Sequence, residues 1–75
     1  MNQNDKMKVL RAGFRIIRAD DSGPKPRIKE CRMHTADGMN YVSSIDYYKL
    51  GEYDTKAARN RAMEELLKDD KINED

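Results

Sequence analysis

The sequence predicts an α+β domain in the order β-β-β-α: a three-stranded antiparallel sheet with one C-terminal helix packed on one face. Three observations predict it. KVLRAGFRIIRA (8–19) is rich in branched and aromatic residues and holds no proline, the pattern of a strand. RIKECRMHTADGMNYVSSIDYY (27–48) places Asp37-Gly38 between two strand-like runs, and Asp-Gly suits the positive φ that a two-residue hairpin turn needs. YDTKAARNRAMEELL (53–67) opens on capping residues and then repeats apolar residues at helical spacing.

Taken in order, residues 1–7 are polar and lack periodicity, and read as a disordered tail. The single domain is expected over 8–68, with a frayed tail at 69–75. In the first strand, alternation puts Leu10, Ala12, Phe14 and Ile16 on one face and Val9, Arg11, Arg15 and Ile17 on the other. Gly13 marks a bulge or a close backbone approach. DDSGPKP (20–26) is a loop, and its prolines delay pairing until about Arg27.

The Asp37-Gly38 turn dictates a hairpin register. Tyr41 faces His34, Ile45 faces Glu30 and Tyr47 faces Ile28; on the opposite face Val42 meets Met33, Ser44 meets Cys31, Asp46 meets Lys29 and Tyr48 meets Arg27. The first of these faces has more apolar area and is expected to meet the helix. Tyr41, Tyr47 and Tyr53 supply core bulk in a chain with one Phe and no Trp.

KLGE (49–52) turns the chain into the helix, which either Asp54 or Thr55 can cap. Ala58, Ala62, Met63, Leu66 and Leu67 form its apolar arc, and Glu64 stands in the favourable order before Lys68. Arg59 falls inside that arc. Its stem is expected to pack while its head reaches water; the alternative is a pair with a carboxylate or a ligand phosphate. Helical pattern fades at DDKINED (69–75), where acids meet the negative helix end, and Ile72 is a last apolar contact.

Composition narrows the function classes. Charged residues make up 39% of the 75 residues, against about 25% in ordinary globular proteins, so the core is thin. Net charge is +1, but residues 1–34 carry nine Lys or Arg against four Asp or Glu, and residues 35–75 carry six against ten. That asymmetry marks either a basic surface for an acidic partner or two halves that attract each other. Cys31 stands alone, so no intrachain disulfide forms and a cytoplasmic location is expected. No apolar run has the length of a membrane span, and MNQNDKMK is not a signal peptide.

Chemistry by side chains is sparse. Cys31 and His34 fall on opposite faces of a strand, so neither a metal site nor a Cys–His nucleophile is expected. Ser22, Ser43 and Ser44 have no nearby base, and the four glycines are too scattered for a phosphate loop. The sequence predicts a non-enzyme with no catalytic residues and no cofactor. The basic strands are the remaining signal: Arg11, Arg15, Arg27 and Lys29, with Tyr48 beside them, are expected on the sheet face away from the helix. Arg suits phosphate and guanine, a small sheet can enter a major groove, and an aromatic can stack on a base. Asp46 is expected to interrupt this face, whose bland reading is a solvated one.

GEYDTKAARNRA (51–62) carries a family resemblance. Gly51, Tyr53, Thr55, Lys56, Ala57 and Ala58 reproduce the Gly-x-aromatic-x-Thr-Lys run into an Ala-rich helix, after three candidate strands. In this the chain resembles the arm-binding N-terminal domains of tyrosine-type phage and transposon integrases, and the wider class of plant-type sheet-plus-helix DNA-binding domains. The resemblance implies a sheet that enters the major groove with the helix behind it, and contacts from Arg11, Arg15, Arg27 and Lys29. DNA is the partner that the resemblance implies; with no catalytic domain after the helix, where the family has one, the expectation is a stand-alone module, as in small phage or mobile-element accessory proteins. The alternative from the residues themselves is a protein-interaction module or small inhibitor, using an open edge at 9–17 or the acidic helix face Asn60, Glu64 and Glu65.

Overall fold

A computed structural model describes residues 1–35 and 42–75. The element order is α1 (Gln3–Arg11), β1 (Arg15–Asp20), β2 (Arg27–Thr35), β3 (Val42–Glu52), α2 (Lys56–Leu67) and β4 (Ile72–Glu74). The class is α+β, as expected, but the architecture is larger than the expected three strands and one helix. The sheet has four strands in the order β3-β2-β1-β4; β1, β2 and β3 are antiparallel neighbours, and β4 lies parallel to β1. Among the described residues no helix is long and apolar enough to cross a membrane.

The first correction concerns the N-terminus. Residues 3–11 form a helix, where a tail and the start of a strand were expected. Its local signals are complete. The Asn2 side chain accepts from the Asp5 N–H at 2.8 Å, Asp5 lies in the first turn, and Lys8 and Arg11 lie in the last. Gly13 then takes a φ of +93°, which ends the helix and turns the chain into β1. The strand therefore starts at Arg15, and 9–11 offer no edge; β1 itself is flanked on both sides, by β2 and β4.

The second correction concerns the C-terminus, where the expected frayed tail contains β4. Asp69 closes α2 with a tight turn: its side chain accepts from the Lys71 N–H at 2.9 Å, and its carbonyl accepts from the Ile72 N–H at 2.9 Å. Ile72 then pairs beside Arg15 and is 6% exposed, so its apolar contact is a core contact.

The third is register. Observed pairs are Cys31 with Tyr47, Glu30 with Tyr48, Lys29 with Lys49, Arg32 with Asp46 and Met33 with Ile45. Each is three residues along from the expected pairing. An odd shift moves β3 side chains to the other face relative to β2. Ile45 and Tyr47 thus share a face with Cys31 and Met33 rather than with Ile28, and Val42 pairs with Thr35, not Met33. The Asp37-Gly38 turn, and the expected contacts of Tyr41, lie outside the described residues.

Both faces of the sheet are covered. Ile17, Ile28 and Ile72 meet Met63 of α2 in the main core, with Tyr53, Ala62, Leu66 and Leu67 packed around them. Ile16 points the other way from Ile17, yet both are 0% exposed. The second cover is α1, which packs on β1, β2 and β3 and also buries Cys31. Each fully buried isoleucine contributes about 1.5–3 kcal/mol, so both thin layers matter to a chain this small.

The turn into α2 explains the Gly-x-aromatic run. A Cβ on Gly51 would lie 2.8 Å from the Tyr53 hydroxyl and 3.1 Å from its ring, so only glycine lets the ring fold back there. The Tyr53 N–H donates to the Pro26 carbonyl at 2.9 Å, which fixes the ring against the core. Thr55 is the cap: its hydroxyl accepts from the Ala58 N–H at 3.1 Å. Asp54 instead pairs with Lys25.

Arg59 is 4% exposed and does not snorkel. Its Nη1 donates to Asp21 Oδ1 at 2.6 Å and its Nε to Asn60 Oδ1 at 3.0 Å. The carboxylate alternative therefore describes this residue, with the partner inside the chain.

Candidate functional site

The five residues expected on one basic sheet face divide among three places. Arg27 and Lys29 point to the α1 side of the sheet. Arg15 and Tyr48 point to the α2 side, because Arg15 pairs beside core Ile72 and Tyr48 pairs with Glu30. Arg11 is exposed in the last turn of α1. The expected cluster rested on the expected register and on a strand at 9–11, and it falls with both.

On the α2 side, beyond the helix, the surface is charge-balanced. Arg15 forks onto Glu30 through Nε at 2.7 Å and Nη2 at 3.0 Å. The Arg15 hydrogen bonds hold the Glu30 carboxyl below its ordinary range. Arg32 lies 5.4 Å from the Tyr48 ring centroid, and His34 Nε2 lies 2.6 Å from the Tyr48 hydroxyl and 2.9 Å from Asp46. His34 thus neighbours Tyr48 here. Asp46 belongs to this surface and leaves Lys29 without the acid expected beside it.

The α1 side carries something the sequence reading missed. Arg18 of β1 pairs directly with Lys29 of β2, and Lys29 with Lys49 of β3. Directly paired residues point the same way, so three cationic residues stand in one row across three strands, their Cα atoms about 5 Å from one to the next. Like charges so placed repel one another. Two are partly compensated. Arg18 stacks on the Tyr47 ring at 3.7 Å and lies 4.0 Å from Asp75; Lys29 lies 3.6 Å from Asp20.

Both acids are shared. Asp75 also takes Lys6 at 3.0 Å and a hydrogen bond from the Tyr47 hydroxyl. Its burial alone would raise its pKa, but the bonds from Tyr47 and Lys6 outweigh that and lower it. Asp20 also takes Arg27; hydrogen bonds from Ser22, and then Arg27, hold its carboxyl down at about 2. Lys49 is exposed and makes no ion pair among the described residues. The row is therefore a line of cationic residues whose uncompensated charge lies at its β3 end.

Arg18 went unnoticed because it shares the face of Ile16, two residues before it, and that face was read as core. Lys49 went unnoticed because it was read as part of the turn into α2. Only the register joins them.

Cys31 and His34 do fall on opposite faces of β2. Burial pushes the Cys31 thiol up, which keeps it protonated and a poor nucleophile.

Fold and surface together define a class: a small mixed sheet between two helices, with a cationic row beside the N-terminal one. Compared with protein-family models, curated proteins and solved structures, the chain matches none.

Proposed function

We propose that the chain is a small non-enzymatic nucleic-acid-binding module whose contact surface is the row Arg18, Lys29 and Lys49, extended by Arg27 and Arg11. The observation that carries the reading is the row itself. Three like charges held opposite one another cost stability in the free protein, and a phosphate backbone relieves that cost. The strand frame sets their spacing without further ordering. Asp46, which would have weakened such a face, lies on the opposite one. The resemblance of residues 51–62 to integrase arm-binding domains points to the same ligand. Phage or mobile-element origin accompanies that resemblance.

The test is a titration with short duplex DNA, followed by backbone amide shifts. Shifts should cluster at Arg18, Lys29 and Lys49. About three phosphate contacts give a slope of log K on log salt of roughly −2 to −3. Lys49→Glu should weaken binding about tenfold, since it turns an attraction into a repulsion. Absence of shifts at low salt, or a cluster at Arg15 and Tyr48 instead, overturns the reading.

A second reading, a protein-interaction module, is favoured by the outer edge of β3. This eleven-residue strand stands at the end of the sheet, with no strand beyond it among the described residues.

A further inference from the structure

The cationic row meets an acid where it reaches the β4 side of the sheet. Glu74 pairs beside core residue Ile17 and so points to the α2 side; Asp75, the next residue, points to the α1 side. The Asp75 carboxylate lies 4.0 Å from Arg18, the first cation of the row.

Three elements supply partners to this one carboxylate. Lys6 of α1 approaches to 3.0 Å, Tyr47 of β3 donates its hydroxyl, and Arg18 comes from β1; the Met1 amine stands at 3.4 Å. Lys6 and Arg18 also lie over the Tyr47 ring, at 5.0 and 3.7 Å from its centroid. Two cations and a hydroxyl donor around one anion are the groups that hold a phosphate diester.

Asp20, the other shared acid, differs. It accepts from the N–H and the hydroxyl of Ser22 in its own loop, so that loop depends on it. Asp75 makes no side-chain bond within its own segment. Its backbone is held separately, by its N–H on the Ile17 carbonyl at 2.9 Å. The carboxylate can therefore turn out to water by a side-chain rotation while the strand stays paired.

We infer that Lys6, Arg18 and the Tyr47 hydroxyl form a further phosphate site for nucleic acid, which the Asp75 carboxylate fills in the free protein and leaves on binding. This rests on the nucleic-acid reading above and deepens it. A phosphate drawn to Arg18 meets a second anion on the same guanidinium, and the two repel. Turning Asp75 out removes that repulsion and adds Lys6 to the row. Asp75 is thus a built-in competitor. A single ion gains little by displacing it, whereas a strand that also reaches Lys29 and Lys49 gains their contacts as well.

Asp75→Asn removes the competing charge at nearly constant size. It should bind a short DNA duplex roughly three- to tenfold more tightly than wild type, with a slope of log K on log salt steeper by about 1. Glu74→Gln deletes the same charge one residue earlier, on the α2 side, and should change affinity by less than about twofold. In the wild-type protein the Tyr47 ring resonances should move on duplex titration and stay in place with inorganic phosphate at equal concentration. This readout needs no variant. Failure of both wild type and Asp75→Asn to bind duplex would overturn the nucleic-acid reading and this inference with it. With wild-type binding intact, equal or weaker affinity in Asp75→Asn, an equal gain in Glu74→Gln, an unmoved Tyr47 ring, or an equal response to inorganic phosphate would overturn the inference alone.

Discussion

Arg59 on α2 and Asp21 in the β1–β2 loop are joined side chain to side chain at 2.6 Å, although 38 residues separate them. The pair is lopsided: the Arg59 side chain is 5% exposed and that of Asp21 is 52% exposed. Removing the arginine takes away packing and three charge-assisted bonds, to Asp21, Asn60 and the Asp20 carbonyl, while Asp21 rehydrates freely. Arg59→Ala should cost about 2–3 kcal/mol. Arg59→Met keeps the stem and should cost less, and Asp21→Asn about 0.5–1 kcal/mol. Urea midpoints at unchanged slope measure all three. A loss in Arg59→Ala no larger than that in Asp21→Asn would show that the buried bonds contribute little.

Acid should unfold the protein in a defined window. The Asp20 carboxyl has a folded pKa of about 2 against an ordinary 3.8. A depressed folded value means that the unfolded chain takes up the proton first. The stabilisation is therefore complete above about pH 4 and is lost as pH falls towards about 2. Asp75 and Glu30 act in the same direction. Wild type and Asp20→Asn should differ in Tm near neutral pH and converge at the acid end. A difference that stays constant with pH would mean that the Asp20 charge is not what matters.

Adjacent residues Ile16 and Ile17 should both behave as core. Ile16→Ala and Ile17→Ala should each cost about 2–4 kcal/mol. On a sheet covered on one face only, one of the two would be a surface change, worth within about 0.5 kcal/mol. Chemical denaturation of the two variants therefore tests the seating of α1 directly.

Gly51→Val should displace the Tyr53 ring, because the new side chain enters space that the ring holds. The expected cost is about 1–3 kcal/mol. Combining it with Tyr53→Leu should give less than the sum of the two single losses, since the clash then has no ring to meet. Strict additivity in a thermal-unfolding cycle would break the link between Gly51 and Tyr53.

Much of the fold was legible where the signals are local. Thr55, the alanines after it and the acids after Leu67 bound α2 within a residue or two. Branched residues in 15–17, and 27–35 and 42–48 among the described residues, read as strands and are strands. The helix at 3–11 was the costly error. Its apolar residues Val9 and Leu10 continue into Phe14 and Ile16, so a helix end and a strand start read as one alternating run. Asn2, Asp5, Lys8, Arg11 and Gly13 were a complete set of start and stop signals. Of the candidate surface, Lys29, Arg27 and Arg11 were singled out from sequence, and Arg18 and Lys49 were not.

The sequence alone therefore determines the class, the capped helix α2, the strand-forming stretches and the surplus of cations in the first half. These follow from forces that act over a few residues: caps, turns, rotamer limits and side-chain periodicity. Register, the coil-to-strand fate of Ile72 and the seating of α1 depend on residues far apart in the chain. Ile72 is a strand because β1 offers it an edge, and α1 is held because Ile16 and Cys31 need a cover. The hairpin slides by three because pairing Cys31 with Tyr47 puts Tyr47 under Arg18 and Lys6. That one odd shift carries Asp46 away from Lys29 and brings Lys49 beside it, which is why the cationic row exists in the folded protein and nowhere in the linear order of its residues.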